Sequence, residues 1–149
     1  GLSGAANYIG KDTTAAWSAM KLDGGQATWS YELAADAATT TLEVLDGGGR
    51  VVWSGPAPDR TEGTHDFTWD GKTSAGGQLA DGGVYTLKVT AKTGADETID
   101  SQTLIRGRIT GVELYNGEPY LTVGNSILPL STVIALQERA TTTTPVGTA

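Results

Sequence analysis

The chain has 149 residues, enough for one ordinary domain or two small ones. It has no cysteine, which excludes disulfides, thiol nucleophiles and thiolate metal sites together. Its net charge of -7 and sequence pI of about 4.5 argue against a nucleic-acid partner, which needs a basic face, and no run of about 18 apolar residues exists to span a membrane.

The 21 glycines, the abundant threonine and the scarcity of helix-forming stretches favour an all-β chain with many turns. Residues 1–8 carry little apolar patterning and are expected to be disordered. They also lack the charged start and apolar centre of a signal peptide. From Ile9 to Leu22, Ala15, Trp17 and Ala19 share one face of an extended chain, and Ala16, Ser18, Met20 and Leu22 the other. The alanines leave a short helix open, but a strand is the preferred reading. Asp23-Gly24-Gly25 ends the run.

A meander follows. Trp29, Tyr31 and Leu33 alternate with Thr28, Ser30 and Glu32, the two-residue period of a strand with one buried face. Thr40–Asp46 is a second strand, Gly47-Gly48-Gly49 a hairpin connection, and Arg50–Ser54 the return. Pro56, Pro58 and Gly63 mark a long loop. His65–Asp70, Val84–Ala91 and Glu97–Arg106 complete six strands. Such spacing predicts a fibronectin type III or immunoglobulin-like sandwich over residues 27–106. With an even number of alternating strands, its two ends emerge together, so it can be inserted into a host domain.

After Gly107 come four shorter runs: Ile109–Leu114, Tyr120–Val123, Ile127–Leu130 and Ser131–Leu136. Asn116-Gly117 between the first two is a type I′ hairpin signal. Four short strands do not close a barrel, and Ile9–Leu22 is the one segment free to supply a fifth. The predicted fold class is therefore all-β: the sandwich inserted into a small Tudor/SH3-like barrel split between the chain ends, residues 9–24 and 107–138. So small a barrel is marginal alone and needs its neighbour. Residues 139–149, polar and threonine-rich, are expected to be a disordered tail.

The stretch from Asp66 to Ala91 organises the rest. Its motif is Trp69-Asp70-Gly71, then a glycine-rich connection, then Asp81-Gly82 leading to Tyr85. A Trp ending one strand and a Tyr starting the next can close the same end of a sandwich core. Asp70 and Asp81 resemble calcium ligands, but the oxygen spacing of a calcium loop is missing, so they read as turn-forming carboxylates. His65 is the one histidine and has no partner for metal or nucleophilic chemistry. No nucleophile elbow exists, and Gly47–Gly49 lack the helix a phosphate cradle needs. No catalytic residue, metal or cofactor is expected. Trp29, Trp53 and Trp69 read as core, with a sugar-stacking platform as the alternative. Tyr115 and Tyr120 flank Asn116, and this hairpin reads either as a structural cross-strand pair or as an interaction surface. Arg106 and Arg108 share a strand face and are read as solvated, or as tying the two modules together through a carboxylate.

These residues carry a resemblance. The central part, in L-E-V-L-D-G-G-G-R-V-V, H-D-F-T-W-D-G-K and the Gly77–Tyr85 segment, resembles the immunoglobulin-like domain of flagellar hook-capping proteins, also called hook assembly or basal-body rod modification proteins. Ile9-Gly10-Lys11 is similar to the start of that family's folded core, and G-R-I-T-G-V-E-L, P-Y-L-T-V-G-N and I-L-P-L-S-T-V to its C-terminal half-barrel. The resemblance spans about residues 8–137. It implies a non-enzymatic scaffold, exported without a cleaved signal peptide, at the distal end of the growing hook. The implied partners are hook protein subunits and further copies of itself in a ring-like cap, without nucleic acid or membrane insertion. Family members carry a longer N-terminal region, so a shortened chain is expected. The Trp-Asp-Gly pattern is also similar to other bacterial modules. An extracellular immunoglobulin-like module for carbohydrate, surface-protein recognition or secretion sorting is therefore the alternative.

Overall fold

A computed structural model of the chain describes residues 2–139. In chain order its strands are β1 (Asp12–Ala15), β2 (Ala19–Lys21), β3 (Ala27–Leu33), β4 (Thr39–Leu45), β5 (Val51–Pro56), β6 (Gly63–Trp69), β7 (Val84–Lys92), β8 (Thr98–Ile99), β9 (Ser101–Tyr115), β10 (Glu118–Val123), β11 (Ser126–Pro129) and β12 (Val133–Gln137). They form two antiparallel sheets. One joins β11, β10, β9, β1 and β12 in that order, with β3 also paired to β9 and β6 to β3. The other runs β2, β7, β4, β5, with β8 beside β7.

The sandwich arises where β3, β6 and the first part of β9 face β7, β4 and β5. Inward positions of β3 and β4 are the predicted ones: Trp29, Tyr31, Leu33, Leu42 and Val44 are all buried. Trp69 and Leu87 join them. The buried cluster does not stop at the sandwich. It continues through Ala15, Met20 and Leu22 to Ile105, Ile109, Leu121, Val123 and Leu128. A core shared this way lets the small C-terminal sheet bury area it could not bury alone.

β9 is the common spine. Ser101–Leu104 pair with β3, Ile105–Arg108 with β1, and Ile109–Tyr115 with β10. The sequence suggested two strands broken at Gly107, whereas a single strand of 15 residues runs through. Gly107 is not a turn here. A Cβ on it would stand 3.1 Å from Val123 Cγ1, so the missing side chain lets the strands close up.

β1 lies between β9 and β12, with Asp12 opposite both Arg108 and Gln137. The N-terminal segment and the last strand are thus neighbours in one sheet. Residues 9–24 do not stay in that sheet throughout, however. After β1 the chain crosses at Ala16–Ser18, and β2 joins β7 in the other sheet. The crossing is fixed by Ser18, whose carbonyl accepts Trp29 Nε1 at 2.8 Å and the Leu87 N–H at 3.3 Å.

Two further expectations change. Residues 2–8 are not irregular: Leu2–Ala5 is a helical turn and Ala6–Tyr8 a 3-10 turn, with Ala5 buried. Ser131 belongs to a 3-10 turn, Leu130–Thr132, and not to a strand. That turn carries the chain from β11 to β12, and among the described residues no ladder joins these two strands. Of the tail, only Arg139 falls within the described residues. Among the described residues no helix is long and apolar enough to cross a membrane.

Candidate interaction surface and the Trp-Asp-Gly corner

The Trp-Asp-Gly motif builds a corner. Trp69 ends β6 with 1% of its surface exposed. Its indole N–H donates to the Lys72 carbonyl at 2.9 Å, and its ring meets Tyr85 edge-on at 4.9 Å. Asp70 Oδ1 accepts the Lys72 N–H at 3.0 Å, a local side-chain turn. Gly71 has φ +76°, and a Cβ there would stand 2.7 Å from Gln78 Nε2 and 3.1 Å from Leu22 Cδ2. Gln78 Nε2 in turn donates to the Asp70 carbonyl at 3.1 Å.

The second half of the motif is a long-range latch. Asp81 accepts the N–H groups of Gly24 at 2.9 Å and Gly25 at 3.0 Å, one on each carboxylate oxygen. Gly82 N–H donates to the Leu22 carbonyl, and Leu22 N–H to the Gly83 carbonyl, each at 2.9 Å. The structure therefore brings Trp69, Asp70, Gly71, Asp81, Gly82 and Tyr85 together around the turn after β2. Both oxygens of Asp81 serve backbone donors, but those donors lie on the distant turn after β2 and not on the turn Asp81 itself begins. Ser74 covers the free side of β5, donating its N–H to the Val52 carbonyl at 3.0 Å and accepting the Ser54 N–H at 3.1 Å.

The other polar candidates are also occupied by structure. His65 Nε2 lies 2.6 Å from the Thr61 carbonyl, its ring packs on Tyr31 at 5.4 Å, and Nδ1 stands 3.4 Å from Asp59. Tyr31, fully buried, donates its hydroxyl to the Asp59 carbonyl at 2.8 Å and accepts the Asp59 N–H at 3.0 Å. Burial raises the Tyr31 phenol above its usual range. Asp59 is lowered by the Thr61 N–H and hydroxyl. At Gly47–Gly49 the donors turn inward: Asp46 Oδ1 accepts Gly48 N–H at 2.9 Å and Arg50 N–H at 3.0 Å. The Arg50 N–H is the main reason the Asp46 carboxyl is lowered.

The tryptophans do not form a flat exposed platform. Trp29 and Trp69 are each 1% exposed. Half-buried Trp53 stacks on Phe67 at 5.3 Å, which stacks on Trp29 at 6.4 Å.

Arg106 crosses the sheet face. It donates from Nε to Ser30 Oγ at 2.8 Å and from Nη2 to Asp66 Oδ1 at 2.7 Å, while Ser30 Oγ donates to Asp66 Oδ1 at 2.6 Å. Ser30, then Arg106, hold the Asp66 carboxyl below its usual range. The sequence left this arginine either solvated or tied to a carboxylate, and it is tied to Asp66 on β6. The missed member is Ser30, a buried serine on β3 that bonds both Arg106 and Asp66.

The hairpin between β9 and β10 turns at Asn116 (φ 51°) and Gly117 (φ 79°), the two left-handed residues of a type I′ turn. The rings of Tyr115 and Tyr120 meet at 5.2 Å and 90°, and Tyr115 donates its hydroxyl to Glu113 Oε2 at 2.6 Å. That bond and the charge of Glu113 raise the Tyr115 phenol. Tyr115 is 49% exposed, so the structure leaves this predicted surface open.

The profile of the FlgD Ig-like domain matches residues 14–95. The chain belongs to this family. Among solved structures it is similar to FlgD from P. aeruginosa, with 24% identity, a TM-score of 0.66, and coverage of 87% of this chain and 98% of that one. FlgD from Xanthomonas campestris is 23% identical, with a TM-score of 0.66 and coverage of 91% and 98%. A truncated FlgD from Helicobacter pylori is 21% identical, with a TM-score of 0.54 and coverage of 87% and 94%. These likenesses are of fold, and they extend beyond the matched FlgD Ig-like segment. A comparison with curated proteins finds no match.

Proposed function

We propose that this chain is a non-enzymatic scaffold of flagellar hook assembly, a cap at the distal end of the growing hook that promotes polymerisation of hook subunits. The observation that carries the reading is membership of the FlgD Ig-like family together with a fold shared over nearly all of three FlgD structures. The X. campestris protein is described in terms of hook capping essential for flagellar assembly. In this reading the chain is exported without a cleaved signal peptide, associates with hook subunits and with copies of itself in a ring-like cap, and inserts in no membrane.

Its organisation supports a scaffold. We read β3 to β8 with the first part of β9 as the sandwich, and β1, β10, β11, β12 and the rest of β9 as the Tudor/SH3-like module. β2 is transferred to the sandwich. The two carboxylates that resembled calcium ligands are spent on backbone donors, Asp70 on its own turn and Asp81 on the turn after β2. The Tyr115–Asn116–Tyr120 hairpin is the proposed contact surface. The alternative of a carbohydrate module has two of its three indoles in the core.

The test is genetic and visual. A strain lacking the gene should secrete hook subunits that stay unpolymerised, and the intact gene should restore hooks. Hooks of normal length and number in the deletion strain would refute the proposal.

A further inference from the structure

Exposed apolar side chains are concentrated in the last strands of the chain. Of the eight large ones among the described residues, Leu114, Tyr115, Ile127, Ile134 and Leu136 fall within residues 109–137. The same stretch carries only two charged residues, Glu113 and Glu118. A surface that is nearly uncharged and apolar is costly to leave in water, and such patches mark docking sites.

The register gathers part of this surface onto one face. On the outer side of β9, β10 and β11, Glu113 stands opposite Tyr120, Tyr115 opposite Glu118, and Thr122 opposite Ile127. Leu121 and Leu128 point the other way and are buried. Two tyrosine rings thus share this face with the carboxylates of Glu113 and Glu118, and Ile127, 54% exposed, stands across from Thr122. The nearest basic residue along β9 is Arg108.

Charge decides the occupant. A second copy docked face to face would set these glutamates against their own images, on chains of net charge -7 each. We infer that this face docks a protein surface presenting a Lys or Arg beside an aliphatic side chain. The cation lies over the tyrosine pair, within reach of Glu113 and Glu118, and the aliphatic group covers Ile127. Aromatic rings attract cations through their faces, and the planar guanidinium of arginine suits ring and carboxylate together. The inference deepens the hook-cap reading, because it states the chemistry a hook subunit has to present here.

Two probes separate the surface from that reading. The first is purified hook protein, titrated against the chain by calorimetry or interferometry. Glu113→Lys/Glu118→Lys should weaken binding at least tenfold, Glu113→Gln/Glu118→Gln less, and added salt should reduce the wild-type affinity. The exposed glutamates should be replaceable without loss of fold, checked by the unchanged amide spectrum of the sandwich. The second probe is a five-residue peptide alternating leucine with arginine, with a leucine–glutamate peptide as its counterpart. In an amide NMR titration only the arginine peptide should shift Tyr115, Tyr120 and Ile127, and the charge-reversed variant should abolish the shifts. Hook protein that binds both chains equally overturns the surface and leaves the hook-cap reading standing. Hook protein that does not bind, while the arginine peptide does so in a glutamate-dependent way, overturns the hook contact and leaves the surface. Failure of both probes, or wild-type dimerisation abolished by Tyr120→Ala, overturns the surface outright.

Discussion

Replacing Gly71 by alanine tests whether the Trp-Asp-Gly corner is a packed latch. Gly71 sits at φ +76°, where an L side chain pays about 1 kcal/mol of backbone strain. The new Cβ also meets Leu22 at 3.1 and 3.2 Å and Gln78 Nε2 at 2.7 Å. Gln78 is the far end of a flexible chain and can swing away, giving up its bonds to the Asp70 and Leu79 carbonyls. Leu22 is fully buried and has nowhere to go. Overpacking of that kind costs about 1–3 kcal/mol, for a total near 3 kcal/mol.

Gly76 supplies the control. Its φ is +93°, but a Cβ there meets nothing within 4 Å. Gly76→Ala should pay backbone strain alone, about 1 kcal/mol. With a urea slope of about 2 kcal/mol/M, the midpoints should fall by roughly 1.5 M for Gly71→Ala and roughly 0.5 M for Gly76→Ala. Leu22→Val should cost less in the Gly71→Ala background than in the wild type, because the shorter side chain makes room. Equal midpoints for the two alanine variants would refute the packing argument and leave only glycine's backbone freedom.

The remaining predictions concern polar groups. Asp81→Ala strips acceptors from the N–H groups of Gly24 and Gly25, which water can reach, so about 1 kcal/mol should be lost in urea unfolding. Tyr31→Phe should cost more, about 1–3 kcal/mol, because the Asp59 N–H and carbonyl lose a partner beside a fully buried ring. Asp66→Asn should cost about 1 kcal/mol at neutral pH, a figure held down by the exposure of the Asp66–Arg106 pair. The folded Asp66 carboxyl titrates below its usual 3.8, so its stabilisation is complete above the ordinary carboxylate range and disappears as pH falls through the depressed value. Wild type and Asp66→Asn should therefore converge in thermal melts under strong acid. A gap that widens on acidification would contradict this sign.

The sandwich was legible because its signals are local. Trp29, Tyr31 and Leu33 repeat with the period of a strand, and each is buried. Asn116-Gly117 announced its turn because only residues tolerant of positive φ fit a type I′ hairpin. Glycine within strands was ambiguous for the same reason it was useful. Gly107 and Gly117 look alike in the sequence, yet one admits Val123 and the other turns the chain. The crossing at Ala16–Ser18 was hidden because each half of Ile9–Leu22 alternates correctly, and the change of sheet depends on distant partners of Ser18. Asp81 was read as a turn former, but its contact with Gly24 and Gly25 joins segments more than 50 residues apart. No local pattern encodes it. The outer face of β9–β11 did leave a trace in the sequence, the near absence of charge from Ile109 to Gln137, and charge depletion rather than any motif marks it.

Continuity of β9 has a mechanical consequence for the proposed cap. A hinge needs residues whose backbone can change conformation without breaking many bonds. At the passage from sandwich to C-terminal strands, Ile105–Arg108 are paired with β1, and Asp12, Thr13 and Thr14 of β1 are paired in turn with β12. Arg106 then clips that passage to Ser30 and Asp66 on β3 and β6. Bending there would break ladders on both sides of β1 and open a core that is continuous from Leu22 to Leu128. The part carrying Tyr115, Tyr120 and Ile127 is therefore joined to the sandwich by paired strands and a shared core. In the proposed cap, any rearrangement would have to come from contacts between molecules that loosen and re-form, which suits a small apolar face with a sparse acidic rim better than a broad sealed interface.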